Sequence, residues 1–222
     1  MKQKPRVFFD AGGTLLKVRQ SVGTTYAEFA RRFGVELDAE RVREAFPKVF
    51  RSLHIRQPGT IPSNGDDRAW WHEVVTRCLR IGGWPEDKPT DAVFSALYDH
   101  YEQATCWVLF PETLGVLERL RSEGVPCYLL SNWDRRLRTI LRGLGIDGFF
   151  ADFVISAEVG CAKPHAAIYE LALQRAGVAA SEAIMVGNEL EMDVEPALAC
   201  GWRAAFAVER PQRDLNYLFA IL

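Results

Sequence analysis

The stretch that decides the fold is Arg6-Val7-Phe8-Phe9-Asp10-Ala11-Gly12-Gly13-Thr14. A short apolar run ends in a carboxylate and then in paired glycines, which reads as a buried strand over residues 6–9 entering a flexible turn. Open α/β folds place their chemistry at the carboxyl ends of parallel strands in this manner, so Asp10 is the first candidate for a working side chain.

Past residue 104 the same alternation recurs. Residues 112–123 read as an amphipathic helix with Leu114, Leu117 and Leu120 on one face, and 125–130 as a strand ending at Ser131-Asn132. Helices follow at 134–144, stopped by Gly145, at 165–176, closed by Gly177, and at 194–200, capped by Gly201. Short apolar strands fall at 153–155, 183–186 and 203–208. Strands alternating with helices at this spacing predict an α/β fold, a Rossmann-like, doubly wound parallel sheet covered on both faces.

Residues 17–103 break the rhythm. Their patterns are helical, at 24–33, 39–53, 67–81 and 91–103, with a Pro/Gly/Ser/Asn loop at 57–65 and no strand. The expected organisation is an α/β core domain from residues 1–16 and 104–222, with 17–103 as a small all-helical cap inserted after the first strand. The cap aromatics Tyr26, Phe29, Trp70 and Trp71 stand at helical spacing, which suits core packing.

Bulk properties narrow the class. The chain of 222 residues is 48% hydrophobic and 25% charged, an ordinary globular balance, and its formal charge of -2 gives no electrostatic reason to bind nucleic acid or an anionic membrane. The arginines 135, 136, 138 and 142 fall at helical spacing and read as a solvated helix face. No apolar run reaches the roughly 18 residues a membrane helix needs, and the N-terminus has no export signal. Cys78, Cys106, Cys127, Cys161 and Cys200 are scattered and odd in number, as expected of reduced thiols in a cytoplasmic protein. A monomer or weak homodimer is expected.

Several strand or loop ends carry polar residues: Asp10 with Thr14, Ser131 with Asn132, Lys163, and Asn188-Glu189 through Asp193. In a parallel sheet such ends open on one edge, where residues distant in sequence meet. Singly each has a plainer reading. A strand-end Asp caps a turn, Ser131 caps the next helix in competition with Asp134, and Lys163 before Pro164 is exposed.

Taken in order, they resemble the four motifs of the haloacid dehalogenase superfamily. FFDAGGTLL is similar to the first motif, LLSNWD to the second, Lys163-Pro164 to the third and IMVGNELEMDV to the fourth. The stretches TTYAEFARRFG, RAWWHEVV, TCWVLFP and SNWDRRLRTILRGLGI resemble the subfamily around haloacid dehalogenase-like hydrolase domain-containing protein 3 and rhythmically expressed gene 2 protein. The resemblance implies a carboxylate nucleophile at Asp10, which can form an aspartyl-phosphate and split one displacement into two steps. It also implies phosphate held by Gly13, Thr14, Ser131, Asn132 and Lys163, the last doubling as a catalytic cation, and a small phosphorylated molecule as substrate. The implied cofactor is Mg²⁺, a hard cation for oxygen ligands, held by Asp10, the Gly12 carbonyl and the fourth-motif residues Asn188, Glu189 and Asp193.

The sequence departs from the family pattern twice. Phosphatases of this superfamily carry a second Asp two residues after the nucleophile as general acid, where this chain has Gly12. The fourth motif's Gly-Asp is here Gly187-Asn188. General acid help is worth about 10²–10⁴-fold, so a slow or leaving-group-selective phosphatase is expected. Two alternatives stay open. One is a metal-free 2-haloacid dehalogenase, with Arg41 or Arg43 binding the substrate carboxylate; the other is a binding protein that has kept the fold and lost turnover.

Overall fold

The computed structural model describes residues 4–57 and 59–222. Its strands are β1 (Arg6–Phe9), β2 (Leu16–Val18), β3 (Trp107–Leu109), β4 (Cys127–Ser131), β5 (Phe150–Ile155), β6 (Ala183–Gly187) and β7 (Ala204–Ala207). The helices are α1 (Val22–Arg32), α2 (Ala39–His54), α3 (Arg68–Gly82), α4 (Asp91–His100), α5 (Thr113–Ser122), α6 (Arg136–Gly143), α7 (Ser156–Val159), α8 (Ala166–Ala176) and α9 (Glu195–Ala199).

Five strands form one parallel sheet in the order β5-β4-β1-β6-β7. β1 lies at its centre and is buried on both faces, which is why its sequence is unbroken apolar rather than alternating. Val7 and Phe9 face the layer that contains Leu117, Leu120 and Ile140, whereas Phe8 faces Tyr169, Ile168 and Trp202 on the opposite side. The chain runs outward from β1 in both directions, to β4 and to β6, so the carboxyl end of β1 is a topological switch point. That is where an open α/β sheet leaves a crevice.

Helices α1–α4 surround a separate apolar core built on Tyr26, Phe29, Leu79 and Phe94. Two of them start on side-chain caps: Ser21 Oγ accepts from Thr24 N at 3.1 Å, and Asp38 Oδ1 from Glu40 N and Arg41 N at 3.0 Å. Gly83 closes α3 at φ 105°, a left-handed conformation that favours glycine.

Four expectations need correction. Residues 17–103 do take part in a strand: β2 pairs antiparallel with β3, Leu16 with Leu109 and Val18 with Trp107. Three residues give too little alternation to read. The apolar face of α5 is Val116, Leu117 and Leu120, while Leu114 is exposed. The helix expected at 194–200 is shorter, Glu195–Ala199, and Val194 instead ends a single π-helical turn over Leu190–Val194. Arg136, assigned to a solvated face, is buried at the start of α6. Among the described residues no helix is long and apolar enough to cross a membrane.

Candidate active site

β1, β4 and β6 deliver their last residues to one edge. Asp10 follows β1 and is anchored there by its own N–H, which donates to Val186 O at 2.9 Å. Ser131, the last residue of β4, donates from Oγ to Asp10 Oδ1 at 2.9 Å. Ser131 thus serves Asp10, and the capping duty falls to Asp134, whose Oδ1 accepts from Arg136 N at 3.0 Å. Lys163 donates from Nζ to Asp10 Oδ1 at 2.8 Å and to Asp193 Oδ1 at 2.5 Å. All of these side chains are buried, and the ammonium holds the two carboxylates by direct contact.

Burial pushes the Asp10 carboxyl up from its ordinary value; the Lys163 charge pulls it down and the Asp193 charge pushes it up again. Burial alone would lower the Lys163 pKa. The Asp10 and Asp193 carboxylates outweigh it, so the group is raised and stays an ammonium.

Asp193 is aimed by the π-turn, a single-turn irregularity frequent at functional sites. Its Oδ2 accepts from Asn188 N and Glu189 N, both at 3.0 Å. The carboxylate lies so close to Gly187 that any Cβ there would overlap it, at 2.1 Å from Asp193 Cγ. Both oxygens of Asp193 are therefore engaged, one by Lys163 and one by the loop it orders.

Asn132 lies at the same edge, and its amide is spent on the main chain of Lys163: Nδ2 donates to Lys163 O at 2.9 Å and Oδ1 accepts from Lys163 N at 2.8 Å. Thr14 is fully buried and donates to Asn188 Oδ1 at 3.2 Å, bracing the fourth motif from behind. Gly13 adopts φ 77°, and a Cβ on it would meet the Asn188 side chain at 2.8 Å. Arg210, which sequence reading missed, clamps this turn by donating to Gly13 O at 3.0 Å and Thr14 O at 2.6 Å, while pairing with Glu112 at 2.7 Å. No periodicity marks such a residue.

Above Asp10 lies a cavity of about 320 Å³. Its polar floor holds Asp10, Ser131, Lys163, Asn188, Glu189 and Asp193, and Gly12 and Asn132 also border it. Aromatic rings dominate the remaining wall. Tyr26 and Trp71 are among them, so their helical spacing serves the cavity as well as the core, whereas Phe29 and Trp70 do not line it and pack against the helical core. Trp133, from the β4–α6 loop, was missed as a site residue. A Cβ on Gly12 would stand 3.1 Å from its Cζ3.

Charge in the cavity wall is confined to Arg136, and it is neutralised in place. Its guanidinium pairs with Asp134, Nη2 to Oδ2 at 2.8 Å, and stacks 3.5 Å from the Tyr98 ring centroid. Arg41 and Arg43 do not reach the cavity. Both are exposed at the start of α2, where Arg43 pairs with Glu40.

The oxygens left for a cation are Asp10 Oδ2, the Gly12 carbonyl, the Asn188 amide and the Glu189 carboxylate. Glu189 belongs to the same polar floor, and desolvation and then the Asp193 and Asp10 charges raise its pKa. Among the described residues no set of three or more acidic, His or Cys side chains is gathered for a metal. Two carboxylates with neutral oxygens nevertheless fit Mg²⁺, which is usually held by one or two carboxylates and keeps several waters.

Comparison with known proteins gives the family. The sequence profile described as haloacid dehalogenase-like hydrolase matches residues 6–201. The chain belongs to the haloacid dehalogenase-like hydrolase family. It is 35% identical over 195 residues to mouse haloacid dehalogenase-like hydrolase domain-containing protein 3, covering 87% of this chain and 77% of the mouse protein. Among solved structures, this chain resembles the magnesium-bound YfnB hydrolase of Bacillus subtilis with a TM-score of 0.74, at 16% identity over 100% of this chain and 99% of that one. L-2-haloacid dehalogenase from Xanthobacter autotrophicus aligns with a TM-score of 0.71 at 20% identity, covering 94% of this chain and 78% of that one. At these identities the two structures speak for the fold alone.

Proposed function

We propose that this chain is a phosphatase for small phosphomonoesters that uses Asp10 as its nucleophile and works with Mg²⁺. The observation that carries the reading is the Asp10 carboxylate, held by Ser131 and Lys163 at the floor of the cavity. With Oδ1 fixed by two donors, Oδ2 is the oxygen free to attack phosphorus. The bond from Asp10 to phosphorus forms as the ester P–O bond breaks, and the leaving oxygen departs with the bonding pair. Water then attacks the aspartyl-phosphate, phosphate leaves, and the water proton passes to solvent.

Phosphoryl transfer asks mainly for positioning and charge neutralisation. Lys163 supplies the cation and Ser131 a hydroxyl donor beside the reacting carboxylate. Asn132 acts through Lys163, Thr14 through Asn188, and Asp193 through both Lys163 and the loop. Mg²⁺, held by Asp10, the Gly12 carbonyl, Asn188 and Glu189, would neutralise phosphoryl oxygen charge. Gly12 can move no proton, so turnover falls by about 10²–10⁴-fold for esters whose leaving group needs one. Free thiols at all five cysteines support a reducing, cytoplasmic setting.

Dehalogenation would need neither metal nor acid, which Gly12 favours. It would also need a cation for the substrate carboxylate, and neither Arg41, Arg43 nor the Asp134-bound Arg136 supplies one. The test compares phosphate release from 4-nitrophenyl phosphate, with and without Mg²⁺, against chloride release from 2-chloropropionate. Phosphate release that needs Mg²⁺ and vanishes in Asp10→Asn is the expected result. Chloride release alone would replace the reading with dehalogenation, and silence in both assays would leave a binding protein.

A further inference from the structure

We infer that the cavity selects aryl phosphomonoesters, in which a flat apolar ring carries the phosphate through a phenolic oxygen. The inference deepens the phosphatase reading and rests on it for turnover, but its binding component stands apart. Two independent features of the structure lead to it.

The first is the wall of the cavity. Beyond the polar floor it is faced by Phe46, Phe50, Trp71, Phe94, Trp107 and Trp133, contributed by both the helical layer and the sheet. Ring faces of this kind stack on flat apolar groups. Besides Arg136, the wall's polar side-chain atoms are few, chiefly the Tyr26, Tyr98 and Tyr101 hydroxyls. Arg136, its charged member, already has its donors taken by Asp134 and by Tyr98 O at 3.1 Å, and Tyr98 donates its hydroxyl to Asp134 at 3.2 Å. Hydroxyls brought into this space would lose water and find few partners, which disfavours them. A volume of about 320 Å³ lies at the small end of ligand pockets and suits one or two fused rings.

The second feature is at the reacting end. The position two residues after the nucleophile is Gly12, and Trp133 closes over it at 3.1 Å from a hypothetical Cβ. The leaving oxygen therefore departs beside an indole ring and not beside a carboxylic acid. Without an acid to protonate it, a phenolate leaves with its electron pair far more readily than an alkoxide, because a phenol ionises near pH 10, far below an aliphatic alcohol. The lining that accommodates the ring and the missing acid that requires a stable leaving group point to the same substrate class.

The binding test uses Asp10→Asn protein, with 1-naphthyl phosphate and glucose 6-phosphate as ligands and calorimetry or tryptophan fluorescence as readout. The expected result is at least about tenfold tighter binding of the naphthyl ester, from the apolar area its rings bury. Phe50→Ala, at a half-buried position, should reduce that preference several-fold and leave inorganic phosphate binding unchanged; Phe46→Leu is the milder control for folding. Equal or tighter binding of glucose 6-phosphate would overturn the inference. For turnover, wild-type kcat/KM should fall steeply from 4-nitrophenyl to phenyl phosphate and become negligible for glycerol 3-phosphate. Comparable rates on aryl and polyol esters would overturn the inference while sparing the phosphatase reading. Naphthyl binding with no phosphate release from any ester would sink the phosphatase reading, and with it the substrate assignment, leaving only an aryl-phosphate binding site.

Discussion

The indole of Trp133 crowds the space that a side chain at position 12 would enter: a Cβ on Gly12 would stand 3.1 Å from Trp133 Cζ3, so the ring would have to give by a few tenths of an ångström. The obstacle to an acid there is steric and not conformational, since Gly12 is not among the residues with positive φ. Gly12→Asp alone should therefore gain little activity. Combined with Trp133→Phe, which removes the crowding ring, it should raise kcat on phenyl phosphate, by up to about 10²-fold if the new acid is well placed. With 4-nitrophenyl phosphate the gain should be small, because that leaving group needs no proton. Steady-state kinetics of the double variant decide the matter, and an unchanged phenyl phosphate rate would show that the missing acid is not what limits turnover.

The pH dependence follows from the Lys163–Asp10–Asp193 cluster. Burial raises the Asp10 carboxyl, so its inactive protonated form persists to higher pH than for an ordinary aspartate, near about 3.9. The acid limb of kcat/KM should accordingly lie above that value. Lys163→Met removes the charge that lowers the Asp10 pKa and should move the limb to still higher pH, while Asp193→Asn removes a charge that raises it and should move the limb down. A limb unmoved by Lys163→Met would show that another group controls it.

Asp193 holds three groups of the site, Lys163 and the Asn188 and Glu189 main chain. Asp193→Ala would strand the Lys163 ammonium against Asp10 alone and free the Asn188 and Glu189 N–H groups. Removing one partner of a buried ion pair costs about 3–5 kcal/mol. Urea unfolding should register a loss of that order, with Asp193→Asn milder because its amide oxygen still accepts from the loop. A change under about 0.5 kcal/mol, the range of ordinary surface substitutions, would refute the structural role.

Asn188→Asp is nearly isosteric and keeps the oxygen that Thr14 donates to. It adds an anionic oxygen next to Glu189, which a hard cation prefers. The Mg²⁺ concentration for half-maximal hydrolysis of 4-nitrophenyl phosphate should drop several-fold. No change in that midpoint would count against metal binding at this loop.

Much of the fold was legible because its elements are written in long apolar periods. β1, buried on both faces, showed as an unbroken run, and the helices of residues 17–103 matched to within a few residues. Ser131, Lys163 and Asp193 could be placed at one edge with Asp10, since strand ends in a parallel sheet share a side. What could not be read depends on contacts between distant segments. Trp133 over Gly12, Arg136 turned inward on Asp134, and Arg210 on the Gly13-Thr14 turn leave no local pattern. The π-turn was missed because Leu190–Val194 carries no periodic signal; its shape answers to Asp193 reaching back to the loop.

The short β2–β3 ladder has a consequence for how such a molecule diversifies. The helical segment departs at Val18 and returns at Trp107, and these two residues are paired neighbours. Adjacent strands lie only about 4.8 Å apart, so a tight hairpin could close the gap if the whole segment were cut out. The sheet and its polar edge would keep their register. Trading one helical segment for another would replace the part of the cavity wall that Phe46, Phe50, Trp71 and Phe94 supply and would keep the part that Trp107 and Trp133 supply.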